Sequence, residues 1–546
     1  MSKGSHRLTH LLAAWGQAVQ GTAHPQPPAY DGPDVAVTHF TEKTSEVEPG
    51  SAFVARVRAG SDGHPYIAQA IERGATLILA QQPPDALGLI VPPGVVYLTV
   101  PDTAVALAWL SAAWEAFPSR QLVVIGITGT DGKTTTANIL FNILRAAGLR
   151  AGLLSTIRAV IGDEEEPLAL HVTTPESPVV QRYLRRMVDA GLTHCVLEAT
   201  SHALAQHRVA AVDFDVAVVT NITHEHLDYH GSPEAYFAAK RRLFGYLLDD
   251  LLHVATHNRH KVDLRRTAVL NRDDSSFALL DDFLAGRPID VVTYGLAATP
   301  TAGHTTATGI SFDPHETALT LHVGGASLPV RAPLPGAFNV SNMLAAAAAA
   351  STLGVTPKAV GVGLASVGYL SGRMERIEMG QPFLVIVDFA HTPNALARAI
   401  DAARGMIGPD NRIIAVFGSA GKRDVDKRRL MAEIAARAAD LTVLTAEDPR
   451  TESLDDILAT MAAAATAAGG VEGQTFWRVT DRGRAIRFAL SPAQPGDVVL
   501  ICGKGHEQSM CFGTVEYPWD DRAAARAALA AWARGETMTD LGLPTF

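Results

Sequence analysis

Apolar residues along this chain fall into short unbroken or alternating runs and longer stretches at helical spacing, and the two kinds take turns over most of its length. Between residues 35 and 105, Ser51 to Val54, Thr76 to Leu79 and Val95 to Val100 read as strands around the helix-like Ile67 to Arg73, which predicts a small α/β unit. The helical stretch Ala104 to Phe117 ends at Pro118-Ser119, so a boundary falls near 118. From 119 to about 370 the apolar runs Leu122 to Ile125, Cys195 to Glu198, Val216 to Val219 and Thr267 to Leu270 alternate with helical segments. That alternation predicts a doubly wound, largely parallel sheet. Residues 310 to 332 switch to period two, as in Leu319-Thr320-Leu321-His322-Val323, and read as an antiparallel edge to that sheet, followed by an alanine-rich helix from Asn342 to Leu353. A third α/β unit, 371 to 546, has strands at Phe383 to Val387, Ile413 to Phe417, Leu441 to Leu444 and Val498 to Ile501.

The length of 546 residues agrees with several domains, each able to bury its own core. A formal charge of -10, with 19% charged residues and no basic stripe, argues against nucleic acid or a membrane surface as the main partner. Cys195, Cys502 and Cys511 are too few and too scattered for a disulfide framework and read as small core residues in a reducing compartment. No apolar stretch near twenty residues occurs, so a cytoplasmic protein is expected, with a monomer as the simplest state.

Candidate chemistry starts at Gly126-Ile127-Thr128-Gly129-Thr130-Asp131-Gly132-Lys133-Thr134-Thr135-Thr136, which lies between an apolar run and the helical Ala137-Asn138-Ile139-Leu140. Glycines let the backbone turn its N–H groups toward a polyphosphate, the helix N-terminus adds its dipole, Lys133 brings a cation and Thr134 a magnesium ligand. The usual pattern has its first glycine six residues before the lysine; here that place is Ile127, between Gly126 and Gly129, so the loop is a variant that binds ATP or GTP.

Polar residues follow each strand of the middle unit, where open α/β sheets hold ligands. Glu198 closes one strand ahead of Ala199-Thr200-Ser201-His202, and Asn221 closes another ahead of His224-Glu225-His226-Leu227-Asp228-Tyr229-His230. Glu198, Thr134 and a histidine would suit magnesium beside phosphates, and a zinc site on His224 and His226 is disfavoured because phosphates call for a hard cation. In the third unit, Asp388 to Asn394, Gly418 to Asp424, Glu447-Asp448-Pro449-Arg450 and Gly503-Lys504-Gly505-His506-Glu507 place charge after four strands, which points to a second ligand surface on one rim.

With these residues in view, the chain resembles the Mur ligases, ATP-dependent amide-forming enzymes of peptidoglycan synthesis, and most closely their MurE type, which adds the third residue of the peptide. The resemblance runs through Thr128 to Thr136, Thr173 to Ser177, Glu198 to Arg208, His226 to Phe244, Leu334 to Asn342, Gly372 to Glu375, Asp388 to Pro393 and Gly503 to Glu507. It implies three domains: a small α/β one for the uridine nucleotide (1–118), a central P-loop ATPase (119–370) and a Rossmann-like one for the amino acid (371–546). A substrate carboxylate would take the γ-phosphoryl of ATP, and an amine would then attack the acyl phosphate.

By the same resemblance Lys133, Glu198, His226 and Lys240 are catalytic, and Thr134, Glu198, His226 and Lys240 hold magnesium, Lys240 as a carbamate. Helical pattern alone would make Lys240 a surface lysine. Gly129, Thr130, Asp131, Gly132, Lys133, Thr134, Thr135, Asn339, Arg373, Asp388 and His391 would bind ATP. Thr44, Ser45, Thr173, Thr174, Thr200, Gln206 and Arg208 would take the UDP-linked muramoyl dipeptide, and Arg423, Asp448, Arg450, Gly503 and Glu507 the diamino acid, either lysine or ornithine or meso-diaminopimelate.

The chain departs from the family in three places. Lys43-Thr44-Ser45 stands where Asp-Ser-Arg is usual, Phe389 stands where tyrosine is common, and Glu447-Asp448-Pro449-Arg450 stands where enzymes adding meso-diaminopimelate usually have Asp-Asn-Pro-Arg. The first of these leaves open an amide ligase acting on another carboxylate, of folate or cofactor type. A nucleotide-binding regulator without ligase chemistry is disfavoured by Lys133, Glu198, His226 and Lys240.

Overall fold

The computed structural model describes residues 4–58, 60–168, 174–223, 225, 227–248, 258–296, 303–313, 315–368, 370–422 and 425–545. The chain divides into two compact units, Met1–Gly129 with Gly148–Ile222 and Glu234–Thr293, and Thr130–Ala147 with Thr223–Pro233 and Tyr294–Phe546.

The first unit begins with four parallel strands in spatial order His39–Thr41, Ser51–Val54, Leu77–Ala80 and Val96–Thr99. The helices Leu8–Val19 and Thr103–Trp114 bury Leu8, Leu11, Trp15, Leu107 and Trp109 in a shared core with this sheet. Asp102 starts the second helix by accepting from the amides of Ala104 and Val105 at 2.7 and 3.1 Å, satisfying donors that have no partner within the helix.

The unit's larger sheet places Val123–Thr128 between His194–Glu198 and Val216–Val219, with Ala151–Leu154 and Thr267–Asn271 outside them, all parallel. The chain first steps to one side of Val123–Thr128 and later to the other, so the strand order reverses around it, the place where doubly wound sheets hold ligands. Its apolar runs are buried on both faces, as the unbroken sequence pattern requires. The hairpin Arg158–Ile161 with Glu164–Pro167 adds an antiparallel edge that the sequence pattern did not announce. Gly126 sits so tightly in this core that a Cβ would lie 2.7 Å from the Phe214 ring.

In the second unit, Lys133–Ala146 packs with Ala337–Thr352 and Pro357–Ala365, and a Cβ on Gly363 would fall 2.4 Å from the Ile143 Cα. The period-two segment forms three antiparallel strands, His304–Phe312, Thr317–Val323 and Ala326–Ala332. The helix expected from Asn342 starts five residues earlier, at Ala337 behind Gly336 (φ 101°), and so carries Asn339 and Asn342 in its first turns. The C-terminal sheet runs Glu375–Arg376, Leu384–Asp388, Val498–Cys502, Ile413–Phe417, Leu441–Leu444 and Phe476–Arg478, parallel except for the first.

Arg482, fully buried, ties the ends of two of these strands together. It makes two 2.7 Å bonds to Asp521 and donates to the carbonyls of Ala446 and Cys502 at 3.1 and 2.8 Å. Those carbonyls directly precede Glu447 and Gly503, so this ion pair fixes the rim on which the charged motifs sit. Arg482→Ala and Asp521→Ala are each expected to cost about 3 to 5 kcal/mol, because each strands the other charge in the core. The double variant is expected to cost far less than the sum, as thermal or urea unfolding of the three proteins will show.

Candidate active site

The phosphate loop starts at the end of Val123–Thr128. Gly129 has φ 150°, and a Cβ there would lie 1.8 Å from the Thr220 hydroxyl, so only glycine lets the loop leave the strand in this direction. Gly132 (φ 82°) caps the helix Lys133–Ala146, and a Cβ there would meet the Asn342 side-chain oxygen at 2.2 Å. The helix thus begins earlier than the apolar pattern suggested and places Lys133, Thr134 and Thr135 in its first turn, where amide groups point outward. The Lys133 ammonium donates to the Thr130 carbonyl at 2.8 Å, and the Thr130 hydroxyl accepts from the Thr223 amide at 2.9 Å.

Within the same unit Arg373 approaches the loop, its guanidinium 3.5 Å from the Thr134 hydroxyl. Asn339, Asn342 and Thr136 form a chain of side-chain hydrogen bonds behind it, with Asn342 donating to Asn339 at 3.1 Å and Thr136 to Asn342 at 3.3 Å. Asn394 donates to Asp131 at 3.1 Å, and burial together with Glu225 pushes the Asp131 carboxyl above its usual range. The His391 ring nitrogen lies 3.8 Å from Glu225.

Asp388 accepts from the amides of Met374 and Ala390, both at 2.8 Å, which ties Arg373 to the end of its strand; burial raises its carboxyl while Arg373 opposes that rise. Phe389 carries the Arg373 guanidinium 4.5 Å over its ring and has His391 and His506 at 4.3 and 4.7 Å, so the phenylalanine keeps the flat face expected of tyrosine here. Gly372 is obligatory, since a Cβ would lie 2.2 Å from the Gly505 and His506 backbone.

In the first unit Glu198 is 2% exposed, and one carboxylate oxygen accepts from the amide and hydroxyl of Thr156 at 3.0 and 2.9 Å. The Thr174 hydroxyl donates to the Glu198 carbonyl at 2.9 Å and accepts from the Thr200 amide at 3.2 Å. Arg208 donates to the Thr174 carbonyl at 2.7 Å and to the Gln206 side chain at 2.8 Å. Thr156 was not singled out in the sequence, and nothing near it has a motif's spacing.

Lys240, on the helix Pro233–Gly245, is 1% exposed rather than a surface lysine; it donates to the Gly129 carbonyl at 2.5 Å and lies 4.5 Å over the Tyr236 ring. Thr44 and Ser45 lie in a short 3-10 turn, Thr44–Glu46, where Arg73 donates to the Thr44 carbonyl at 3.0 Å. Thr173, His224, His226 and Arg423 lie outside the described residues.

On the C-terminal rim, Asp448 (φ 40°) and Arg450 (φ 55°) both adopt left-handed backbone. The Lys504 ammonium, 1% exposed, lies 2.9 Å from Asp448 and also pairs with Glu507, and the Cys511 amide donates to the same Asp448 oxygen at 2.9 Å. Although burial opposes it, Glu507 and Asp448 hold the Lys504 ammonium well above its usual range. The Arg450 amide and carbonyl bond to Cys511 and Gly513 at 3.0 and 2.7 Å, so the hairpin Ser509–Phe512 with Val515–Pro518 holds the strained loop in place.

Lys504 was not among the candidate residues, although it stands inside Gly503-Lys504-Gly505-His506-Glu507 and is paired on this rim. Glu447 is a second candidate that the motif spacing alone did not single out. Burial raises its carboxyl, and one of its oxygens is buried without a hydrogen-bond partner.

A doubly wound sheet with a glycine loop at its strand reversal defines a nucleotide-binding α/β protein. The Mur ligase middle-domain model matches residues 127–350, and the Mur ligase glutamate-ligase-domain model matches residues 372–505. The chain belongs to the Mur ligase family, and it is an ATP-dependent ligase. It is 42% identical over 506 residues to a UDP-N-acetylmuramyl-tripeptide synthetase of Roseiflexus sp. (strain RS-1), covering 91% of this chain and 95% of that protein. It is 39% identical to a UDP-N-acetylmuramoyl-L-alanyl-D-glutamate–2,6-diaminopimelate ligase of Geobacillus thermodenitrificans, again over 91% and 95%. A solved structure of a ligase of the latter description superposes with a TM-score of 0.61 at 28% identity, covering 93% of this chain and 98% of that one.

Proposed function

We propose that this ligase joins a diamino acid to UDP-N-acetylmuramoyl-L-alanyl-D-glutamate in peptidoglycan precursor synthesis, with ATP as the source of the acyl phosphate. The observation that carries the reading is 39 to 42% identity, along 91% of the chain, to proteins named for that reaction. A folate-type or cofactor-pathway substrate, whose best support is the Lys43-Thr44-Ser45 departure, has less support than this identity gives.

In this reading segments 1–118, 119–370 and 371–546 serve the donor, the nucleotide and the acceptor. Gly129 to Thr135 cradle the phosphates and Lys133 meets the transferred group, while Asn339, Arg373, Asp388 and His391 serve the nucleotide. The buried carboxylate of Glu198, with one oxygen fixed by Thr156, suits a hard cation. Magnesium, when bound, would neutralise charge gathering on phosphoryl oxygens, and Thr134, Glu198, His226 and a carbamylated Lys240 are the residues proposed to hold it. Thr174, Thr200, Gln206 and Arg208 position the donor so that its carboxylate meets the phosphoryl group in line. The test is ADP release, which is expected to require this donor and a diamino acid together.

For the acceptor, Arg423, Asp448, Arg450, Gly503 and Glu507 form the proposed pocket, to which Lys504 and Glu447 are added. Asp448 is already paired with Lys504, so its charge alone does not select an ammonium. Glu507 shares Lys504 with Asp448, so the two carboxylates outnumber that cation, and Glu447 adds a third carboxylate whose buried, unpartnered oxygen suits an ammonium donor. The pocket is therefore proposed to favour lysine or ornithine over meso-diaminopimelate, by about 1 to 3 kcal/mol. Parallel assays with the three amino acids decide the matter, and a large preference of the wild type for meso-diaminopimelate overturns it.

A further inference from the structure

After the strand Ser51–Val54 the chain continues as Arg56-Val57-Arg58, with Val57–Arg58 pairing to Ser61–Asp62 in a small antiparallel hairpin. Extended backbone puts Arg56 and Arg58 on the same side, and Val57, 47% exposed, on the other. Both arginines turn toward the elements that carry the proposed donor residues. Arg56 donates to Glu42 at 2.8 Å; Arg58 donates to Glu42 at 2.5 Å and to Glu176 at 3.3 Å. Arg208 joins them through Glu176 at 2.9 Å.

Three guanidiniums thus share two carboxylates, which leaves one positive charge in excess. The Nε groups of Arg56 and Arg58 are buried without hydrogen-bond partners. Burial presses on both signs here, raising the Glu42 carboxyl and lowering the Arg208 guanidinium. A half-buried group of this kind is completed by an oxyanion, and guanidinium forks suit a carboxylate. Arg58 is the open member, with a third of its side chain accessible (33%), while Arg56 and Arg208 lie behind it at 5% and 7%.

The location tells which oxyanion. Arg208 bonds the Thr174 carbonyl, and the Thr174 hydroxyl bonds the Glu198 carbonyl, so two hydrogen bonds separate the arginine group from the strand end where acyl phosphate formation is proposed. A donor ending in glutamate carries two carboxylates, of which one is phosphorylated and the other keeps its charge. The donor's diphosphate is separated from that end by the sugar and the dipeptide. We infer that Arg58, backed by Arg56 and Arg208, is a further specificity residue that receives the unreacted carboxylate of the donor's terminal glutamate. This rests on the donor proposed above.

The test compares the native donor with the analogue whose unreacted glutamate carboxylate is a carboxamide. Calorimetric binding without ATP or acceptor, and KM for donor and ATP, are measured on the full-length wild type, Arg58→Ala and Arg58→Lys. The wild type is expected to bind the carboxamide about ten- to a hundred-fold more weakly than the native donor. Arg58→Ala is expected to bind the native donor more weakly by a similar factor and to lose the discrimination, with KM for ATP unchanged. Arg58→Lys is expected to keep part of the discrimination, which a purely structural role would not produce. Equal discrimination by Arg58→Ala and the wild type overturns the assignment, as does a wild type, or an Arg58→Lys variant if alanine fails to fold, that ignores the amide. A wild type that binds neither donor overturns the proposed donor itself, which separates that failure from failure of the arginine assignment.

Discussion

Lys240→Ala is expected to turn over at about one hundredth of the wild-type rate or less, and added formate or acetate is expected to restore part of the loss. The physical reason starts from burial. Lys240 is 1% exposed and sits against the start of the phosphate loop, its nitrogen 2.5 Å from the Gly129 carbonyl, a place where a free ammonium would compete with magnesium. Loss of a proton gives the neutral amine, which adds carbon dioxide and releases a second proton to solvent; the resulting carbamate keeps an N–H for the Gly129 carbonyl and carries one negative charge shared by two oxygens. That converts a cation beside the phosphate loop into a group able to hold magnesium, in keeping with the role of the matching lysine in Mur ligases. Intact mass measured under mild conditions is expected to exceed the sequence mass by one carbon dioxide in the wild type and not in Lys240→Ala. Full activity of Lys240→Ala in bicarbonate-free buffer would sink the carbamate.

Glu198→Ala is expected to lower kcat by a comparable factor while changing KM for ATP only a few-fold. The carboxylate sits at the end of a parallel strand next to Val123–Thr128, held by Thr156, and its proposed contribution is felt where charge develops on the transferring phosphoryl group. A group that acts on the transition state changes turnover more than ground-state affinity. Thr156→Val is expected to give a smaller loss of the same kind, because it removes one of the two Thr156 bonds to the carboxylate and leaves the amide bond in place. Loss of ATP binding with unchanged turnover in Glu198→Ala would contradict this account.

Much of the fold was legible because the information is local. Val216–Val219, Ile413–Phe417 and Leu441–Leu444 have the bounds their apolar runs indicated, since a strand buried on both faces needs only continuous hydrophobicity. The phosphate loop was legible for the same reason, its glycines, lysine and threonines being contiguous. Helix starts were less so. Ala337 and Lys133 begin helices ahead of the apolar pattern because Gly336 and Gly132 set the backbone there, and polar first turns carry no periodicity.

Charge partners were not legible. Lys240 meets Gly129 across 111 residues, Lys504 meets Asp448 across 56, and Arg58 meets Glu176 across 118. A lysine on a helix has the same local pattern whether it faces water or the phosphate loop, and an aspartate in Glu447-Asp448-Pro449-Arg450 reads as free charge until Lys504 is seen beside it. By itself the sequence determined most strands of the parallel sheets, the glycine loop that follows Val123–Thr128 and, through contiguous motifs, which family the chain belongs to. Only the tertiary structure decided which charges are buried, paired or in excess, because desolvation and Coulomb energy depend on distances between residues that the chain order keeps far apart.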